Sequence, residues 1–196
     1  MFFSRQTRFV GSLLALAVLA SHFAFADPAF SLAEKAQAKL ELIKNEEAAP
    51  GSQIVFSIEE IRAWCEAEAP DGITEPQVIL KPGGGVELHG MIDFLVIAGD
   101  NDSFAKSLFA PLLRGNRPMD VYAHVDSAPG FVIVTVDEVR LAGVTLSQTL
   151  LDFLINTFLL PKYPKLRFNE PMALEYGMDL LDVEKSGVTV LMKGAE

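Results

Sequence analysis

Few side chains in this sequence are placed to do chemistry. His89 and His124 sit on two segments of alternating apolar and polar residues, near Asp93 and Asp120, so pairing of those segments could bring imidazoles and carboxylates toward a shared metal ion. No helical histidine pair or clustered ligand motif accompanies them, and polar positions of such strands face solvent, which is the expectation here. His22 lies in an apolar leader. Cys65, the one cysteine, has no histidine at recognisable nucleophile spacing and shares a helical stripe with Ile58 and Ile61, so it reads as a small apolar residue. Gly83-Gly84-Gly85 precedes a strand pattern rather than a helix, with no Lys-Ser or Lys-Thr behind it, and marks a turn instead of a phosphate cradle. Ser127 and Ser147 lack the Gly-x-Ser-x-Gly context of a nucleophile elbow. No enzyme, metal or cofactor is expected.

What the sequence has in excess is apolar surface. From Leu146 to Leu160 a helical pattern is apolar around most of its circumference, with Gln148, Thr149, Asp152 and Asn156 confined to one narrow strip. At 1.5 Å per residue it spans roughly 22 Å, short of a bilayer core of about 30 Å, so protein must bury it. Ser147 or Thr145 can cap its start, and Pro161 and Pro164 stop it. Between Gly99 and Gly115 a connection carries Phe104, Leu108, Phe109, Leu112 and Leu113, more apolar than a surface loop requires; it is a candidate lid. Beside these stand Arg114, Arg117, Lys162, Lys165 and Arg167, loop cations that could contact an anionic head group or a membrane surface.

The order of elements positions these features. Residues 1–26 read as a signal peptide, with Arg5 and Arg8 ahead of the apolar run Val10 to Ala20 and Ala24-Phe25-Ala26 before Asp27, so an exported protein, periplasmic or secreted, is expected. Its removal would take two of the 16 basic residues and none of the 26 acidic ones, moving the formal charge from −10 to −12 and disfavouring nucleic acid as a partner. Residues 27–51 form a helical extension and linker: Ser31 with Glu34 makes a capping box, the apolar stripe is thin, and loose docking is expected. Residues 52–196 form a single α+β domain with a mainly antiparallel sheet. In it a second capping box, Ser57 with Glu60, opens a helix; alternation then predicts strands over 86–98, 118–126 and 130–141 and a final hairpin turning at Glu184-Lys185-Ser186-Gly187. Gly90 marks a bend or a close backbone approach, and the parity change between Val136 and Val139 predicts a β-bulge at Asp137-Glu138.

This succession, from Phe56-Ser57-Ile58-Glu59-Glu60-Ile61 through the Gly-bearing strand Val86 to Ala98, the strand Gly130 to Leu141, the apolar helix and the terminal Gly177-Met178 to Val190 segment, resembles the TULIP-like (tubular lipid-binding) superfamily over residues 52–193. The resemblance implies a curved antiparallel sheet wrapped around a long apolar helix as a half-barrel, with an apolar ligand between them. Its groove would be lined by Val132, Val134, Leu150, Phe153, Leu154 and Phe158. The expected partner is then a lipid or other apolar small molecule, carried in a non-enzymatic exported protein; the alternative is a ligand-free module that docks an envelope protein on the mixed face of its sheet.

Overall fold

The structure is a computed structural model that describes residues 31–98, 114–161 and 164–195. The leader, the candidate lid Phe104, Leu108, Phe109, Leu112 and Leu113, and Lys162 lie outside the described residues.

Helix α1 (Leu32–Lys44) opens on the predicted capping box, Ser31 Oγ accepting from Glu34 N–H and the Glu34 carboxylate from Ser31 N–H. It is not loosely held. Ala36 and Ile43 are fully packed in the core, and two side chains bind it to its neighbours. Lys39 Nζ donates to the Glu60 carboxylate and to Val55 O, both at 2.7 Å, and Trp64 Nε1–H donates to Gln37 Oε1 at 2.9 Å. Strand β1 (Gln53–Ser57) leads directly into α2 (Ile58–Ala67) through the second capping box, and Ile58, Ile61 and Trp64 are the buried face of that helix.

The strands form two antiparallel sheets. In the smaller, β1 pairs with β9 (Gly187–Met192), which pairs with β8 (Met178–Glu184). The larger contains β2 (Ile73–Leu80), β3 (Gly85–Ile92), β4 (Arg117–Ala128), β5 (Phe131–Leu141) and β6 (Val144–Thr145) in that order, with β7 (Met172–Ala173) pairing the start of β5. The class is α+β with a mostly antiparallel sheet, and the described strands do not close a barrel. Both predicted irregularities are present. Tyr122 faces Glu138 and Ala123 faces Val136, which leaves Asp137 as the extra residue of a bulge. Thr74 faces Met91 and Gln77 faces His89, so Glu75-Pro76 bulge toward Gly90, where an added Cβ would stand 3.4 Å from Thr74 O.

The apolar face of the larger sheet is shared between two clusters. The first packs α1, α2 and the smaller sheet against Val78, Leu80, Val86, Val132 and Val134. The second, at the end where β3 finishes, gathers Ile92, Phe94, Leu141, Leu150 and Leu154, with Phe153 and Phe158 against them. Phe94 begins a short helix α3 (Phe94–Ala98), whose start is capped by Asp93 Oδ1 accepting from Leu95 N–H at 2.9 Å.

The apolar helix belongs to this second cluster. It begins at Gln148, capped by Ser147, runs as α4 (Gln148–Leu154) and loosens into a π turn over Ile155–Leu159. A long helix wrapped by the sheet is not what the described residues show. The smaller sheet, α1 and α2 already cover the apolar face around Val132 and Val134, which leaves α4 the far end. No described helix is long and apolar enough to cross a membrane, which says nothing of strands.

Candidate functional site

A cleft of about 500 Å³ opens between α4 and the segment 164–169, beside β5. That volume falls within the range of small-molecule sites, roughly 300–1,000 Å³. Its helix side is Gln148, Leu151, Asp152 and Ile155, residues three and four apart that share one face. Leu160, Pro164, Leu166 and Phe168 come from the return segment, and β5 contributes Val136, which lies between Val134 of the first cluster and Leu141 of the second. The wall is thus largely apolar, with Gln148, Asp152, Arg167 and Asn169 as its polar groups.

The residues predicted to line a groove lie elsewhere. Val132 and Val134 are 1% and 3% exposed inside the first cluster, while Leu150 and Leu154 are buried in the second and Phe153 and Phe158 pack on it. None of the six lines the cleft. The physical reason is the helix period: Leu150 and Leu154 lie about 100° around the helix from Leu151 and Ile155, and a helix apolar on nearly all sides does not announce which face is packed. The strip Gln148 and Asp152 is the signal that could have chosen the open face, because polar groups stay where water can reach them.

Of the four loop cations among the described residues, Arg114, Arg117, Lys165 and Arg167, only Arg167 borders the cleft. Its Nη1 donates to Pro164 O at 2.9 Å and Leu166 O at 2.8 Å, contacts that aim the guanidinium while leaving its charge without a carboxylate partner among the described residues. Across from it Asp152 Oδ1 accepts from Gln148 Nε2 at 2.7 Å. Lys165 points to Glu175 at 2.7 Å, a hydrogen bond that raises its ammonium pKa. Arg117 Nε donates to Arg114 O at 3.1 Å, and neither arginine reaches the cleft wall.

The mixed face of the sheet is a ladder of satisfied groups. His89 Nδ1 lies 2.7 Å from Asp120 Oδ1, its Nε2 is 3.8 Å from Glu87, and its ring meets Tyr122 edge-on at 6.0 Å. Arg140 covers the Tyr122 ring at 5.3 Å and chelates Glu138 at 2.9 and 2.8 Å, holding that carboxyl below its usual range with help from the Thr145 hydroxyl. The pairing of β3 with β4 does bring His89 to Asp120, but Asp93 caps α3 and His124 turns to Asp126 at 3.4 Å. Among the described residues no three potential ligands converge on a metal position.

Cys65 is half-buried on α2, and its burial pushes the thiol up to about 11 from 9.0. That shift leaves about a hundredfold fewer thiolates at pH 8 than an ordinary cysteine would present. Ellman's reagent should therefore modify native protein at least about tenfold more slowly than urea-unfolded protein. Equal rates would show a reactive thiol. The search of protein families and of curated proteins found no match to the chain.

Proposed function

We propose that this is an exported, non-enzymatic protein that binds a small amphipathic molecule, apolar in its body and anionic at one end, in the cleft between α4 and the 164–169 segment. The observation that carries this is the pairing of an apolar wall with a fixed Arg167 that has no carboxylate partner among the described residues, in one concavity of about 500 Å³. Apolar burial would supply most of the affinity, at about 25 cal/mol per Å², and Arg167 the orientation. The superfamily resemblance supports the same ligand class, an acyl chain, though the lining is Leu151, Ile155 and Val136 in place of the residues it implied. The leader sequence supports export.

Titration of purified residues 27–196 with an anionic apolar fluorophore such as anilinonaphthalene sulfonate tests it. Saturable binding at one site is expected. Ile155→Asp, at a half-buried position on the cleft wall, should weaken it by at least about tenfold, because it removes apolar contact and sets a like charge beside the probe. Thermal stability should change little. Unsaturable binding by the wild type, or unchanged affinity in Ile155→Asp, would remove the cleft as a site. The outward ladder of Tyr122, His89 and Arg140 would then favour the alternative, a protein-docking surface on the sheet.

A further inference from the structure

The smaller sheet ends on β8 at one side and on β1 at the other. Along β8, Asp179 O accepts from Gly130 N–H at 2.7 Å and Leu181 N–H donates to Ser127 Oγ at 2.9 Å, so the β4–β5 hairpin holds that edge. Along β1 the ladder alternates. Ser52 O accepts from Met192 N–H and Ile58 N–H donates to Ser186 O, both at 2.9 Å, a register that turns the backbone groups of Ile54 and Phe56 toward β9 and those of Gln53, Val55 and Ser57 outward. Two of these outward groups are held by the ion pair of α1 and α2: Val55 C=O accepts from Lys39 Nζ at 2.7 Å, and Ser57 N–H donates to Glu60 Oε2 at 2.9 Å. A parallel neighbour strand would set the N–H of one residue on Val55 C=O and the C=O of that same residue on Ser57 N–H. Lys39 and Glu60 thus fill the places of one residue of a further strand. The ammonium also lies 5.5 Å from the centre of the Phe56 ring, a second contact that places it.

We infer that the Lys39–Glu60 pair is an edge guard, and that the partner it excludes is a second copy of this chain, pairing β1 with β1 across a twofold axis. Antiparallel pairing of Gln53–Ser57 with itself centres on Val55: each Val55 faces the other, and Gln53 faces Ser57 of the other copy. The strand suits this arrangement, because Val55 is 54% exposed and would cover its own counterpart, while the start of α2 at Ile58 limits the pairing to these five residues. Lys39 withholds the acceptor of the central pair, and Glu60 withholds the Ser57 donor of the flanking pairs. An edge strand with an exposed apolar centre recruits further strands, and a lysine set on that edge is a means of preventing it. The guard therefore keeps the chain monomeric while α1 is docked, and it does not depend on the cleft.

Sedimentation velocity of residues 27–196 over a wide concentration range tests this. The wild type should sediment as a monomer. Lys39→Met/Glu60→Met removes both charges together, a replacement of a buried ion pair that folded proteins commonly accept. It should dimerise at concentrations at least about tenfold below any at which the wild type associates. Adding Val55→Pro should return that variant to a monomer, because proline deletes an outward N–H that the ladder to β9 does not use. Val55→Pro adds no stability, so the reversal separates strand pairing from aggregation of a loosened protein. Lys39→Met alone unblocks the central pair and leaves the capping box whole; it should dimerise more weakly, and it decides the matter if the double variant does not fold. Folded variants that stay monomeric, or dimers that persist with Val55→Pro, would overturn the guard. So would a wild-type dimer that Val55→Pro abolishes.

Discussion

Gly187→Ala should destabilise the protein by on the order of 4 kcal/mol and lower its melting temperature by roughly 10 °C. A Cβ at this position would stand 2.0 Å from Phe56 O and 3.0 Å from Phe56 C, and both atoms are backbone. No side chain can rotate to relieve the contact. Relief requires β1 to separate from β9 where Phe56 pairs with Val188 and Ser57 with Gly187, and those strands carry Ile54, Phe56, Val188 and Val190, each at most 2% exposed. Gly130→Ala is the matched control: that glycine also has a positive φ, 77°, but nothing lies within 4 Å of the added atom. It should cost only about 1 kcal/mol, the ordinary penalty of a left-handed backbone. Urea denaturation of both variants measures the difference; a Gly187→Ala loss no larger than that of Gly130→Ala would contradict the packing of β1 on β9.

Lys39→Ala should cost roughly 2–3 kcal/mol, far more than an exposed ion pair. Glu60 is 7% exposed and its carboxylate serves two donors, the Lys39 ammonium and Ser57 N–H, the latter one half of the capping box that starts α2. Without the lysine a buried charge keeps only the backbone donor. The cost falls at or just below the lower end of the range for broken buried pairs, about 3 kcal/mol, because the Lys39 side chain is 28% exposed and water can enter as it leaves. Adding Glu60→Gln to Lys39→Ala should restore part of the loss, since the amide oxygen still accepts from Ser57 N–H with no charge to compensate. A Lys39→Ala cost below about 0.5 kcal/mol would make the contact a surface pair and α1 a loose appendage.

What the sequence disclosed was local. Two capping boxes, the Glu184 to Gly187 turn, the Asp137 bulge and the close approach at Gly90 each follow from residues within a few positions of one another, or from a parity that a strand cannot hide. The docking of α1 was hidden because it depends on pairs far apart in the chain, Lys39 with Glu60 and Gln37 with Trp64, that no periodicity reports. The candidate site was legible in part. Arg167 and the apolar helix beside β5 were both anticipated, but the strand residue was displaced from Val134 to Val136 and the helix residues by one position, from Leu150 and Leu154 to Leu151 and Ile155. A one-residue step along a helix turns the side chain by about 100°, enough to exchange a packed face for an open one. Only the placement of the smaller sheet against Val132 and Val134 decides between them.

Methyl-resolved NMR during titration with dodecanoate addresses the central claim, that an apolar anion sits between α4 and the 164–169 segment. The methyl groups of Val136, Leu151, Ile155 and Leu166 should shift saturably and together, while those of Val132 and Val190 in the first cluster stay fixed. Shifts confined to Val132, Val134, Leu150 and Leu154, or no saturable shift at any methyl, would contradict it.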